Sequence, residues 1–233
     1  KDFDKNGGLD IVTTVYLPDE NGTSKEFPAQ TMDDQVEQIP ALRKRFPTYK
    51  DFGRATISDM FSADEMKDAI KLQANNFESC YIENLGNGKF KLHTLPKLAQ
   101  IAPLYAMVVD DFNKDGNLDV AINGNDFGTE TGNGRYDALN GLVMLGDGKG
   151  NFLPQSILQS GIFIPGNGKA LIKCRGINNS YLLAASQNKG PLKIFRSKRK
   201  QQLIPLTPND KYCIYHLKNG KKRKEEFYKG QSY

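Results

Sequence analysis

Two stretches of the chain share one pattern of acidic, amide and glycine residues, and this repeat limits the folds that the chain can adopt. The first is DFDKNGGLDIVT, beginning at Asp2, and the second is DFNKDGNLDVAI, beginning at Asp111. In both, side-chain oxygens stand at relative positions 1, 3, 5 and 9, and glycine stands at position 6. That spacing brings alternate oxygens around a single hard cation while the glycine makes the sharp turn. The repeat therefore predicts two calcium loops.

Neither loop belongs to an EF-hand, which needs a bidentate Glu at position 12, because Thr13 and Ile122 stand there. Strand-like residues follow each loop, and a purely oxygen ligand set excludes zinc and copper as natural occupants. The alternative is that both are solvated acidic turns. We expect a structural role for the calcium, because it neutralises clustered carboxylates. The predicted ligands are Asp2, Asp4, Asn6 and Asp10 with the Gly8 carbonyl, and Asp111, Asn113, Asp115 and Asp119 with the Asn117 carbonyl.

The loops head longer repeats. A glycine turn followed by Phe comes later in each of the first two units, as NLGNGKF and MLGDGKGNF. ALIKCRGINNSYLLAA, from Ala170, aligns without a gap on AMVVDDFNKDGNLDVA and forms a third copy. Its positions 1, 3 and 9 are Arg175, Ile177 and Leu183, so we predict no third calcium site. Tandem units of short strands indicate propeller blades.

We therefore expect an all-β fold, a partial β-propeller of about three blades over residues 1–200. Three blades are too few to close a ring, and the chain opens inside a motif, so we expect further blades upstream. Residues 20–75 form an insertion without β character. In SADEMKDAI, Ser62 and Glu65 make a capping box at a helix start. An earlier helix in MDDQVEQIPALRKRF is interrupted by Pro40.

At DFNKDGNLDVAI with LGDGKGNF, and at DFDKNGGLDIV with LGNGKF, the chain resembles the FG-GAP or VCBS repeat family, shared with integrin α-chain head domains. The resemblance implies a seven-bladed calcium-binding propeller that recognises glycans or proteins. YCIYHLKNGKKRKEEFYKGQSY is similar to the ASPIC/UnbV segment and implies a C-terminal β-hairpin module over residues 201–233. Together with NDFGTETGNGRYDA, these features resemble Bacteroidetes repeat proteins of the cell envelope or outer surface.

The polar, glycine-rich stretch from Asn123 to Gly141 is too long for a simple hairpin, and long loops in compact domains are often functional. The alternative is an internally hydrogen-bonded loop. As candidates for contact with a sugar or peptide we select Asn125, Asp126, Glu130, Arg135, Tyr136 and Asp137.

The basic runs RSKRK, from Arg196, and KKRK, from Lys221, are expected at hairpin turns as solvated edges. They are not interleaved with exposed aromatics as single-strand platforms are, so we expect no nucleic-acid partner. The three cysteines, Cys80, Cys174 and Cys213, are odd in number and widely spaced, so they form neither a disulfide framework nor a CxxC metal motif. We expect buried thiols, with at most one disulfide.

The chain carries no GxSxG, HExxH or P-loop, and neither His93 nor His216 has a partner at nucleophile or metal-ligand spacing. We therefore expect a recognition module and not an enzyme. The alternatives are a carbohydrate-active propeller such as a polysaccharide lyase, and a purely structural spacer. No apolar run is long enough to span a bilayer, so membrane association would need an anchor outside the sequence.

Overall fold

The computed structural model describes residues 1–132, 134–178, 180–197, 207, 209–217, 220 and 222–227. The chain divides into two compact units, residues 1–75 and residues 76–233. Across the described residues the secondary structure is mostly β, in several small antiparallel sheets. This agrees with the predicted all-β class. The predicted domain boundary near residue 200 falls in a segment outside the described residues.

The first unit combines one β-hairpin with a cluster of short helices. Strand β1 (Thr14–Pro18) pairs with β2 (Ser24–Pro28) in antiparallel register, with Tyr16 opposite Glu26. The helices are α1 (Met32–Gln38), α2 (Leu42–Arg45), α3 (Tyr49–Phe52), α4 (Ile57–Met60) and α5 (Ala63–Met66).

The hairpin corrects the expectation that residues 20–75 lack β structure. Its turn is made by Asp19, whose Oδ1 accepts hydrogen bonds from the backbone N–H groups of Asn21 and Thr23, each at 2.9 Å. Gly22 supplies the positive φ of 78° that the turn requires. An Asn-Gly pair after a strand is a strong hairpin signal, and it places β2 beside the strand that follows the first acidic loop.

The helices of this unit begin and end where local chemistry requires. The predicted capping box of Ser62 and Glu65 is confirmed at α5, although that helix ends at Met66 and is shorter than its pattern implied. The interruption at Pro40 is also confirmed, because α1 ends before it and α2 begins after it. Arg45 lies 3.0 Å from Glu65, and its hydrogen bond, with those from Ser62, lowers the pKa of Glu65 to about 2.

A hydrophobic core holds the helices together. Phe3, which lies between the first two acidic residues of the first loop, packs its ring on that of Phe61 with centroids 4.3 Å apart. Val12, just beyond the same loop, also packs on this core. The first loop is thus anchored to the helical core. The buried members are Met32, Ile39, Leu42, Phe46, Phe52, Ala55, Ile57, Met60 and Phe61.

The described residues of the second unit form four antiparallel sheets. The hairpin of β3 (Cys80–Gly86) and β4 (Lys89–Thr94) comes first, and a four-stranded meander of β5 (Leu104–Asp110), β6 (Asp119–Gly124), β7 (Leu142–Gly146) and β8 (Phe152–Gln155) follows. After the short helix α6 (Ile157–Ser160), β9 (Gly168–Arg175), β10 (Tyr181–Gln187) and β11 (Lys193–Arg196) form the third sheet, and β12 (Tyr212–His216) with β13 (Lys222–Glu226) forms the last.

The four-stranded sheet carries an apolar core on each face. Because side chains alternate along a strand, β6 directs Ala121 to one core and Ile122 to the other. The first core is shared with the sheet of β9 to β11, through Leu171 and Leu183. The second core includes Ala99 from the segment before β5. The four-stranded sheet is therefore buried on both faces.

The third repeat departs by one residue from the gap-free alignment. In the second repeat, Asp110 pairs with Asp119 across β5 and β6. The alignment places Cys174 and Leu183 in the same positions, but the structure pairs Cys174 with Leu182. The third loop is therefore one residue shorter than the second. A shift of one residue exchanges the two faces of a strand, which places Leu183 in the core between the two sheets.

The three cysteines are free, and each is partly exposed, so the expectation of buried thiols is wrong. Each lies in or at the start of a strand of a different two- or three-stranded sheet of the second unit. Among the described residues, every helix is too short to cross a bilayer.

Candidate calcium loops and ligand face

The first acidic loop is closed by its own side chains. Asp2 accepts hydrogen bonds from the backbone N–H groups of Asn6 at 3.2 Å and Gly7 at 3.0 Å. Asp4 accepts from the Asn6 N–H at 3.1 Å, and Asn6 Oδ1 accepts from the Gly8 N–H at 2.7 Å. Four of the five predicted ligand residues are thus drawn into one tight turn.

The fifth predicted ligand, Asp10, closes the loop from beyond it. Asp10 is buried, and its Oδ2 accepts from the Phe3 N–H at 2.7 Å. Carboxylate oxygens of Asp2, Asp4 and Asp10 all lie within 4.8 Å of one another. Three carboxylates held this close repel each other unless a cation neutralises them.

The second loop repeats this arrangement position by position. Asp111 accepts from the N–H groups of Asp115 at 3.1 Å and Gly116 at 3.0 Å. Asn113 Oδ1 accepts from the Asp115 N–H at 2.9 Å, and Asp115 Oδ1 accepts from the Asn117 N–H at 2.7 Å. This last bond is the main reason why the pKa of Asp115 is lowered. The two loops agree in every one of these contacts.

The backbone of the loops agrees as well. Lys5 and Lys114 have φ values of 63° and 65°, and Gly7 and Gly116 have values of 89° and 94°. Positive φ at a lysine is uncommon, so its occurrence at the same position of both loops marks a shared conformation. Among the described residues, none donates a hydrogen bond to the carbonyl of Gly8 or Asn117, the two predicted backbone ligands.

Asp119 joins the second loop to the hairpin of β7 and β8. Its side chain is fully buried, and Oδ2 accepts from the Phe112 N–H at 2.8 Å and from the Asn113 N–H at 3.3 Å. Oδ1 accepts from the Gly146 N–H at 2.9 Å. A Cβ on Gly146 would lie 2.1 Å from the Leu118 carbonyl oxygen, so only glycine allows this approach. Burial raises the pKa of Asp119.

In the third repeat, Arg175 and Ile177 remain at positions 1 and 3, but the assignment of Leu183 to position 9 is wrong. Leu182 takes that position instead. The third loop closes through the Gly176 N–H, which donates to the Ser180 carbonyl at 2.9 Å. With no carboxylate at these positions and one residue fewer, this loop lacks the ligand pattern of the other two.

The 123–141 loop lies at the opposite end of β6 from the second acidic loop. Asn125 is fully buried there, donating to the carbonyls of Leu139 at 2.6 Å and Gly166 at 3.0 Å and accepting from the Leu139 N–H at 2.9 Å. Both amide hydrogens and the amide oxygen of Asn125 are therefore bonded to groups inside the fold. Asn125 therefore holds the base of the loop and does not face a ligand.

Beyond Asn125 the loop forms a small antiparallel bridge that presents the other candidates. Asp126 and Tyr136 exchange two backbone hydrogen bonds, each of 2.8 Å. The Arg135 guanidinium carbon lies 5.2 Å from the centre of the Phe127 ring. The side chains of Glu130, Arg135, Tyr136 and Asp137 are exposed. The bridge thus places Asp126 opposite Tyr136, whereas Arg135 contacts the Phe127 ring, and among the described residues no contact ties Glu130 or Asp137 to the pair.

Two residues of this face were missed by sequence reasoning. Tyr105 donates its hydroxyl to Asp126 at 2.6 Å, and this bond is the main reason why the pKa of Asp126 is lowered. Lys169 lies 3.7 Å from the same carboxylate, with its Nζ 3.4 Å from the centre of the Tyr105 ring. Because β5 and β9 are distant in sequence, nothing local links these residues to the loop. We call Tyr105, Asp126, Tyr136 and Lys169 the ligand face.

The basic residues of the C-terminal hairpin differ from expectation. In the run that begins at Lys221, residues 222–224 lie in strand β13 and not at the turn. Lys221 itself and residues 198–200 of the other basic run are outside the described residues. Arg223 is not a solvated edge residue. Its Nη1 donates to the Gly116 carbonyl at 3.3 Å, and its Nε is buried.

His93 has a partner on the neighbouring strand. Its Nε2 lies 2.8 Å from a Glu83 carboxylate oxygen, and its ring stacks on that of Tyr81 at 4.7 Å. Tyr81 in turn donates its hydroxyl to the Gly150 carbonyl at 3.0 Å. The Tyr81 hydroxyl is thus engaged with the hairpin turn, and the histidine is paired with a carboxylate across the strands.

Comparison with protein-family models, with curated proteins and with solved structures finds no match to this chain.

Proposed function

We propose that this chain is a calcium-binding β-propeller segment of an extracellular or cell-envelope protein, and that it recognises a glycan or a protein. In this proposal the two calcium ions stabilise the loops and take no part in chemistry. The segment supplies part of a ring that blades elsewhere in the same protein complete. Recognition belongs to the loops at the rim.

The observation that carries the proposal is the agreement of the two acidic loops. They lie in different compact units, yet their hydrogen bonds differ by at most 0.2 Å and their positive φ values by at most 5° at matched positions. The shared Asp, Asn and Gly positions give both loops the same side-chain to backbone turns. These turns gather oxygen ligands at the spacing that a hard cation binds, and the repetition of that arrangement supports calcium at both loops.

The stacking of sheets in the second unit supports the propeller. The four-stranded meander is buried on both faces and shares one core with the next repeat. An ion pair of 2.7 Å between Lys173 on β9 and Asp110 on β5 links the two sheets beside the second loop. Radial packing of repeated sheets is the way propeller blades bury their faces.

The ligand face supports the recognition role. It combines an exposed tyrosine, Tyr136, with a carboxylate at Asp126 and an ammonium at Lys169, and the exposed Arg135 belongs to the same loop. Asp126 is held in place by Tyr105 and Lys169. Fixed polar groups beside an aromatic ring are suited to hydrogen bonding with a sugar or a peptide.

The test is calcium-dependent unfolding of the whole chain. We expect added calcium to raise the unfolding temperature, and a chelator to reverse this. Asp2→Ala should remove the response of the first unit and Asp111→Ala that of the second. Glu37→Ala and Glu130→Ala, which remove exposed carboxylates from the same two units, should leave both responses intact. A chain whose stability ignores calcium, or in which all four variants respond equally, would refute the proposal.

A polysaccharide lyase remains a second candidate because of one cleft. Lys222 and Phe152 line it beside the second calcium loop, and a lyase needs a base close to a bound sugar acid. Incubating the chain with a polyuronate and recording the ultraviolet absorbance of the unsaturated product distinguishes the two. Product that disappears in Lys222→Gln would establish the enzyme, and binding without product would support the recognition module.

A further inference from the structure

A cleft of about 310 Å³ lies in the second unit between the second calcium loop, the glycine turn of β7 and β8, and the C-terminal hairpin. Gly116 and Leu118 form one wall, Gly150 and Phe152 another, and Lys222 and Arg223 the third. The ligand face lies at the other end of the β5 to β8 sheet, so this cleft is a separate site.

Arg223 is unusual within this cleft because its hydrogen-bonding groups are not all satisfied. Its Nε is buried and has no hydrogen-bond partner, and its one hydrogen bond to a described residue is the 3.3 Å contact with the Gly116 carbonyl. The guanidinium carbon lies 5.1 Å from the centre of the Tyr215 ring, which holds the side chain in place. Buried polar groups in proteins are normally hydrogen-bonded. The unpaired group therefore indicates a missing acceptor.

The charge of the cleft points to an anionic acceptor. Among the described residues, neither Lys222 nor Arg223 forms an ion pair, and Glu225, on the same face of β13 as Arg223, lies beyond ion-pairing distance. Lys224, by contrast, pairs with Glu226 at 2.5 Å. An unpaired guanidinium in a cleft whose described lining holds no carboxylate matches the charge and geometry of a carboxylate ligand.

We propose that this cleft binds an acidic sugar, such as the uronic acid residue of a glycan. The carboxylate pairs with Arg223, and the sugar ring packs on Phe152. The volume is at the small end for ligand pockets and suits one sugar ring better than a peptide chain. Glycines at positions 116 and 150 let the backbone approach the ring closely. This inference rests on the proposed recognition function and adds to it a second binding site, apart from the ligand face, with a named ligand class.

The test measures binding of glucuronate to the whole calcium-loaded chain by saturation-transfer NMR and by calorimetry. Glucose serves as the neutral analogue. We expect glucuronate to bind and glucose not to bind. Arg223→Gln should weaken the affinity about tenfold or more, because a charge-assisted hydrogen bond is lost. Arg223→Lys keeps the positive charge but loses the planar fork of donors. Its affinity for glucuronate should lie between those of wild type and Arg223→Gln. Arg196→Gln, an exposed arginine on β11, is the matched control and should bind as wild type does.

The remaining outcomes are also decisive. Equal binding of glucuronate by Arg223→Gln and wild type, with both folded by circular dichroism, would overturn the proposal. So would binding of tetraglutamate, lost in Arg223→Gln, if glucuronate does not bind, because the occupant would then be an acidic peptide. If glucuronate fails to bind while the calcium response of the two loops persists, this inference is wrong and the propeller proposal stands.

Discussion

Replacing Asp119 with alanine should separate the structural role of this carboxylate from its proposed role in calcium binding. Asp119 is fully buried and accepts three backbone hydrogen bonds, two of which, from Phe112 and Gly146, are shorter than 3.0 Å. Leaving a buried N–H unsatisfied costs about 1–3 kcal/mol. Burying the Asp119 carboxylate has an energetic cost of its own, which is why its pKa is raised. The substitution removes that cost and so offsets part of the loss. We expect Asp119→Ala to lower the free energy of unfolding by about 2–4 kcal/mol even in chelator.

Asp111→Ala provides the matched comparison. Asp111 accepts from N–H groups in an exposed turn, which water can satisfy after the substitution. Its cost in chelator should therefore be about 1 kcal/mol or less. With calcium at 100 times its dissociation constant, the wild type gains about 2.7 kcal/mol per site. Asp111→Ala should lose that gain in the second unit.

The assay is urea-dependent hydrogen exchange of the β6 amides, which reads the second unit separately from the first. It is carried out on the wild type and on both variants, in chelator and in calcium. An Asp119→Ala protein within about 1 kcal/mol of wild type in chelator would refute the structural role assigned to the buried carboxylate. Equal losses for the two variants in chelator would refute the distinction between them.

Three further perturbations test other parts of the fold. Gly146→Ala should cost about 1–3 kcal/mol in urea unfolding because its Cβ would meet a carbonyl oxygen, whereas Gly132→Ala, with open space around it, should be close to neutral. Leu183→Ala should cost about 2–5 kcal/mol, against less than about 0.5 kcal/mol for Leu158→Ala, which removes a side chain from a residue that is 98% exposed. NMR should find the Glu65 carboxyl titrating near pH 2. Because its folded pKa is depressed, its stabilisation is present above the ordinary value of 4.5 and is lost as the pH falls toward 2, and Glu65→Gln should remove that part of the acid dependence.

Local patterns carried most of what could be predicted from the sequence. The closed conformation of the two acidic loops is local, because the Asp and Asn spacing and the glycine position that produce it all lie within a few neighbours. The capping box of Ser62 and Glu65 and the break at Pro40 are equally local, and the structure has both. The β2 strand was missed although the Asn21-Gly22 pair marked its turn.

Features that depend on tertiary contacts escaped prediction. The sequence around Asn125 predicts a surface loop residue, but its side chain is buried and bonded to the backbone of Leu139 and Gly166. The sequence around Arg223 predicts a run of solvated charges, but its guanidinium contacts the Gly116 carbonyl and the Tyr215 ring. Such partners lie far away in sequence, and one sequence has no signal that names them.

The shorter third loop has a consequence for anyone who wishes to engineer a new metal site into this protein. Between the paired residues Asp110 and Asp119 the second loop has eight residues, whereas the third has seven between Cys174 and Leu182. Grafting carboxylates onto positions 175 and 177 would therefore leave the ninth ligand on the wrong side of the strand, pointing into the core. A donor set could be rebuilt only by inserting one residue as well, and that insertion must be confined to the turn so that Leu183 and Ala185 keep their places between the sheets.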